Sequence, residues 1–80
     1  MASIPDGHGI VLYHAQGCSL CDRARSVLDT VGAEYGSVDI TGVPELESAY
    51  REWLPVVEID GERAFVYRIP HEGLRRRLTR

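Results

Sequence analysis

Cys18 and Cys21 are the residues of this 80-residue chain best suited to chemistry: they are its only two cysteines, set in a Cys18-Ser19-Leu20-Cys21 motif. A bridge between them would close a very short loop and restrict the unfolded chain little, so they are poorly placed as a structural staple. The thiolate is the attacking form in disulfide exchange. A cysteine of ordinary pKa, about 8.5, is about 3% thiolate at pH 7, and lowering the pKa to about 7 makes that about half. A helix N-terminus favours such a shift, because its free N–H groups and the positive end of its dipole point at the residue there. The expected chemistry is attack by Cys18 on a disulfide, a mixed disulfide, and its resolution by Cys21. Asp22 fits two readings. A carboxylate beside Cys21 disfavours a second negative charge and keeps that thiol protonated, and an acidic residue is in any case favoured in a first helical turn. Two other readings of the pair are ordinary buried cysteines and a zinc site. Structural zinc wants four ligands; His14 offers a third and no fourth is evident nearby, so no metal is expected.

The flanking residues supply the elements that would hold such a motif. Ile10-Val11-Leu12-Tyr13 is a continuous apolar run, suited to a strand buried on both faces. Gly17 breaks it. From Cys18 to about Thr30 the period changes: Ala24, Val27, Leu28 and Val31 fall on one helical face, and Gly32 is placed to end the helix. Val38 and Ile40 then alternate with Ser37, Asp39 and Thr41 as a second strand, completing a right-handed β-α-β unit over 10–41. Pro44 suits the first turn of a second helix, whose apolar face would be Leu46, Ala49, Tyr50 and Trp53. Leu54-Pro55 stops it. Val56, Val57 and Ile59 make a third strand, Asp60-Gly61 is a hairpin turn, and Ala64 to Tyr67 return as a fourth. Leu74 and Leu78 mark a short terminal helix. The order β-α-β-α-β-β-α implies an α/β fold, a four-stranded mixed sheet flanked by helices. Residues 1–9 read as a flexible lead-in and 10–80 as the single domain.

Composition narrows the class. The formal charge is −3, all nine basic residues apart from the histidines are Arg, and the mild acidity argues against nucleic acid as the main partner. The first nine residues have no basic stretch followed by a long apolar one, so they do not read as a signal peptide. No apolar run is long enough to span a bilayer. A cytoplasmic location and no membrane partner are therefore expected, and in that compartment a Cys-x-x-Cys pair is more often catalytic or metal-binding than structural.

Gly17-Cys18-Ser19-Leu20-Cys21-Asp22-Arg23-Ala24-Arg25, after a strand ending Leu12-Tyr13-His14, resembles the active site of the glutaredoxins. Leu54-Pro55-Val56-Val57 followed by Asp60-Gly61 resembles their second signature, and the likeness runs over about residues 9–79. It implies the glutaredoxin-type, thioredoxin-like fold. It also implies a cis Leu54–Pro55 bond beside the cysteines, with backbone there that pairs with substrate. The middle of the motif is Ser-Leu rather than the usual Pro-Tyr. The Gly-Gly pair that follows the fourth strand in glutaredoxins is replaced by Phe65-Val66-Tyr67-Arg68-Ile69. That pair lets backbone approach the γ-glutamyl end of glutathione, so its loss leaves the partner of Cys18 open. The chain looks closer to a glutaredoxin-like bacterial branch of the thioredoxin superfamily.

The resemblance implies a dithiol oxidoreductase, acting as a monomer with no bound cofactor. Its substrates would be disulfide-containing proteins or glutathione mixed disulfides, and its electron donor glutathione or thioredoxin reductase. Cys18 and Cys21 are the catalytic candidates; Leu54, Pro55, Arg68 and Trp53 are the substrate-binding candidates. Arg68 can hold a carboxylate bidentately, and Trp53 is read as packing the second helix and flanking the groove. Arg75, Arg76, Arg77 and Arg80 look like a basic patch, but cations at a helix C-terminus are expected on dipole grounds alone. Two further functions stay open: an iron–sulfur cluster carrier, which Ser19 permits, and a redox-inactive module that uses the proline groove for peptides.

Overall fold

The computed structural model describes residues 9–78. The lead-in expected over 1–9 therefore lies almost wholly outside the described residues, as does Arg80. The elements are β1 (Ile10–His14), α1 (Ser19–Val31), β2 (Gly36–Asp39), α2 (Pro44–Tyr50), a 3-10 turn (Arg51–Trp53), β3 (Val56–Ile59), β4 (Glu62–Val66) and α3 (His71–Leu78). The strand order is β2-β1-β3-β4. β1 pairs with β2 in parallel, while β3 is antiparallel to both β1 and β4. This is the mixed four-stranded sheet that the β-α-β and β-β-α halves require, and the α/β fold is of the thioredoxin-like type.

The alternation within the central strands gives the sheet two different faces. Ile10 and Leu12 of β1 sit opposite Ile59 and Val57 of β3. With Ala24 and Leu28 of α1, Ile69 and Leu74 they form the main core. Helix α1 runs as its period predicts. Gly32 ends it in the left-handed region at φ 81°, and the Gly32 and Ala33 N–H groups close onto the Asp29 and Leu28 carbonyls. The second face carries Val11, Tyr13, Val56 and Glu58, and its helix covers it thinly: no residue of α2 is buried.

The apolar face expected on α2 is corrected by this geometry. Ala49 is exposed, and only Leu46 and Tyr50 pack, half-buried, toward a second small cluster of Ala15, Cys21, Ile40 and Leu54. The chain tightens into the 3-10 turn after Tyr50. That changes the angular step per residue and swings Trp53 off the helical stripe, leaving it 40% exposed. The second face is filled instead by Tyr13 stacked on Tyr50, ring centroids 4.1 Å apart. Both hydroxyls donate to the Glu58 carboxylate, at 3.4 and 2.8 Å. Burial and that carboxylate together push the Tyr50 hydroxyl well above the usual tyrosine pKa.

Two strand ends also differ from expectation. β2 ends at Asp39, although the Ile40 N–H still donates to the His14 carbonyl at 2.9 Å; the Asp39 carboxylate accepts the Thr41 N–H at 2.9 Å and turns the chain after Ile40. In β4 the register slips by one residue at Ala64, so that Arg63 faces Glu58 while Phe65 faces Val57. Without the bulge, residues 63 and 65 would share a face. With it, Arg63 reaches the Tyr50 and Trp53 rings, 5.5 and 5.8 Å from their centroids, and Phe65 joins the main core side. Asp60 and Gly61, at φ 55° and 84°, make the hairpin turn that their sequence predicts.

Candidate active site

The site is assembled at the end of β1. Gly17 takes φ 74°, a conformation that only glycine adopts without cost, and redirects the chain into α1. The Gln16 N–H anchors this turn on the Thr41 hydroxyl at 3.1 Å. Cys18 is then the N-cap of α1, with extended backbone at φ −104°, ψ 102°. Its Sγ accepts the Cys21 N–H at 3.1 Å, so the sulfur occupies the place of a capping oxygen. Negative charge on that sulfur is stabilised by the free N–H group and the helix dipole.

Cys18 and Cys21 are joined as a disulfide, with Cα atoms 5.2 Å apart. Their environments differ. Cys18 is half-buried, whereas Cys21 is 3% exposed and packed with Ala15, Ile40 and Leu54. Apolar surroundings of that kind oppose ionisation of a thiol. Asp22 is exposed in the first turn, and its N–H donates to the Cys18 carbonyl at 3.2 Å.

Leu54–Pro55 is cis. Pro55 is fully buried, and Leu54 joins the cluster around Cys21. The loop is tied from across the sheet: the Tyr67 N–H donates to the Pro55 carbonyl at 3.0 Å and to the Trp53 carbonyl at 3.4 Å. To do so Tyr67 adopts φ 67°, which costs a non-glycine residue roughly 1–2 kcal/mol. The Tyr67 ring is 5.9 Å from that of Trp53, and both are exposed.

Of the residues singled out by sequence, Cys18, Cys21 and Leu54 meet in one cluster, with Pro55 next in the chain. Trp53 is not a packing residue of α2; it leans on Tyr67. Arg68 is exposed and lines, with Leu20, Arg23 and Tyr67, a groove of about 640 Å³ between α1 and the β4–α3 connection. Sequence reasoning missed Tyr67, Phe65 and Arg63. The one available signal was that Glu62–Val66 does not alternate, as a regular half-buried strand would. Arg75, Arg76 and Arg77 fall in the last turn of α3, where the dipole favours them. Among the described residues no three His, Cys, Asp or Glu side chains gather, and no helix is long and apolar enough to cross a membrane.

His14 ends β1 half-buried, and burial, followed by the Arg25 charge, lowers its pKa below 6.5 against the opposing pull of Asp39 and Asp22. It is therefore neutral at pH 7. Between its folded pKa and 6.5 the unfolded chain binds the extra proton, so the stability His14 contributes is complete above 6.5. That contribution is lost as pH falls through the folded value. Proton NMR titration of the His14 ring should show a midpoint below 6.5, and Arg25→Gln should move it upward. A midpoint at or above 6.5 in the unsubstituted protein contradicts the assignment.

A family model described as glutaredoxin-like domain (DUF836) matches residues 9–79. Among solved structures, the chain is similar to the X-ray structure of a structural genomics target protein, XcR50 from X. campestris. The identity is 33% and the TM-score 0.78, with 86% of this chain and 93% of that one covered. The solution structure of the same target gives 31% identity and a TM-score of 0.74, covering 86% of this chain and 90% of that one. No curated protein matches the chain significantly.

Proposed function

The chain belongs to the glutaredoxin-like domain family, and from that premise we propose that it is a dithiol oxidoreductase that reduces protein disulfides or glutathione mixed disulfides. The observation that carries this reading is the Cys18 sulfur capping α1 through the Cys21 N–H, with Cys18 accessible and Cys21 buried behind it. An accessible thiolate at a helix N-terminus is an attacking group. A buried thiol one turn away is protected from outside disulfides and still within reach of its partner.

The reduced Cys18 thiolate forms a bond to one substrate sulfur. The substrate S–S bond breaks, and its other sulfur leaves and takes a proton from solvent. Cys21 then gives up its proton and attacks Cys18 Sγ, and the second substrate sulfur leaves as a thiolate and is protonated. The substrate disulfide has gained two electrons and two protons. The protein has lost two electrons and the Cys21 proton, solvent has supplied the other proton, and the protein ends as the Cys18–Cys21 disulfide. External thiols, from glutathione or the dithiol of a thioredoxin reductase, return the electrons. One chain carries both cysteines, so the cycle needs no second subunit. Leu54, which packs with Cys21, and Pro55 after it are the proposed backbone platform for the substrate, with Trp53 at its edge and Arg68 beyond Tyr67.

A coupled assay tests the reading. Two arms receive the protein and a disulfide-bonded polypeptide substrate, with NADPH consumption followed at 340 nm. One contains glutathione and its reductase, the other thioredoxin reductase. Consumption above background in at least one arm, lost in Cys18→Ser, supports the oxidoreductase and names its donor. No consumption in either arm overturns it.

A further inference from the structure

We propose that the groove between α1 and the β4–α3 connection is a specificity subsite for polypeptide substrates, taking an apolar side chain next to a carboxylate close to the attacked cysteine. This rests on the oxidoreductase reading and deepens it. The groove starts at Leu20, which stands between the two cysteines and is 40% exposed. Its walls are apolar, formed by Leu20, Val27, Phe65 and Ile69 among others, and Arg23 and Arg68 also line it. From Leu20 to Val27 the helix advances about 10 Å, the length of about three residues of extended chain.

The charges identify the occupant. The chain carries a formal charge of −3, yet both charged side chains lining the groove are cations. Arg23 and Arg68 are exposed, and neither makes an ion pair among the described residues. Two unneutralised guanidinium groups beside an apolar trough complement a ligand with an apolar body and a carboxylate. A polypeptide with an aromatic or aliphatic residue and an adjacent Asp or Glu has that pattern. Glutathione offers carboxylates but no apolar side chain for the walls. Tyr67 adds a second argument. Its left-handed backbone and its hydrogen bond to the Pro55 carbonyl fix where β4 ends, and so hold Arg68 beside the groove. Such strain in a bulky residue recurs at ligand-binding positions.

Single-turnover reduction by the full chain, pre-reduced with dithiothreitol and desalted, tests the proposal without any electron donor. The probes are short peptides, each held as a mixed disulfide with 2-mercaptoethanol: Cys-Phe-Glu with Cys-Ser-Glu and Cys-Phe-Lys, and in the reversed order Glu-Phe-Cys with Glu-Ser-Cys and Lys-Phe-Cys. The glutathione mixed disulfide and bis(2-hydroxyethyl) disulfide are run beside them. At least one Phe-Glu peptide should react about tenfold faster than both its Ser and its Lys counterparts and than the glutathione derivative. Arg23→Glu should abolish or reverse the preference for Glu over Lys. Peptide rates within about twofold of one another overturn the subsite, as does a glutathione rate equal to that of the best peptide. An Arg23→Glu protein with the Glu preference intact also overturns it. Failure to reduce even bis(2-hydroxyethyl) disulfide overturns the oxidoreductase reading itself, and the subsite with it.

Discussion

Cys18→Ser is expected to lower disulfide reduction to the uncatalysed background, a loss of at least ~10³-fold in turnover, while leaving the protein folded. The two halves of that expectation have different origins. A serine hydroxyl stays protonated at neutral pH and cannot form the mixed disulfide. Yet Cys18 is the N-cap of α1, with Sγ accepting the Cys21 N–H at 3.1 Å, and serine is among the preferred residues at that position. The variant should therefore unfold no more easily than the unsubstituted protein. Cys21→Ser should give the complementary result. Cys18 still attacks, nothing resolves the mixed disulfide, and the adduct accumulates. Intact-mass spectrometry after mixing with a peptide disulfide would show one equivalent of bound peptide on Cys21→Ser and none on Cys18→Ser. An adduct on both variants, or full activity in either, would remove the division of roles between accessible and buried sulfur.

What the sequence made legible is what depends on local pattern. The spacing of Ala24, Val27, Leu28 and Val31 specifies α1, and Gly32 specifies its end, because both are properties of one segment. Asp60-Gly61 gives a hairpin turn for the same reason. Cys18 could be placed at a helix start because a strand, a glycine and a helical period follow one another there. The misreadings involve relations between segments. The one-residue slip at Ala64 exists only as a pairing between β3 and β4, and it decides that Arg63 faces the aromatic rings while Phe65 faces the groove. Tyr67 gives no local sign of a left-handed backbone; the constraint comes from the Pro55 and Trp53 carbonyls, 12 and 14 residues earlier. Trp53 sits at a helical interval from Tyr50 and so reads as part of one stripe, until the 3-10 turn changes the angular step. The cysteines, the proline and Arg68 were named from the motifs, while the groove, and Arg23 as a second arginine lining it beside Arg68, emerge only when α1 and β4 are brought together.

The same asymmetry between the faces of the sheet sets the largest expected loss of stability. Leu28 is 0% exposed and packs in the main core with Ile10, Leu12, Val57 and Leu74. Leu28→Ala removes most of a buried side chain at a place where helix and sheet are both regular and cannot collapse freely, so about 3 kcal/mol should be lost. A domain of this length has roughly 4–12 kcal/mol in total. The midpoint of thermal unfolding should therefore fall by roughly 12–24 °C. Ala49→Ser, on the exposed side of α2, should change stability by less than about 0.5 kcal/mol. The contrast reaches the chemistry, because α1 carries both the Leu28 anchor and the Cys18 cap. Leu28→Ala should keep its activity at low temperature and lose it in step with unfolding, whereas Cys18→Ser is inactive at every temperature. Chemical denaturation followed by circular dichroism, with activity measured across the same transition, checks both statements. A Leu28→Ala cost below about 1 kcal/mol would mean that α1 is not the helix that holds the redox motif to the sheet.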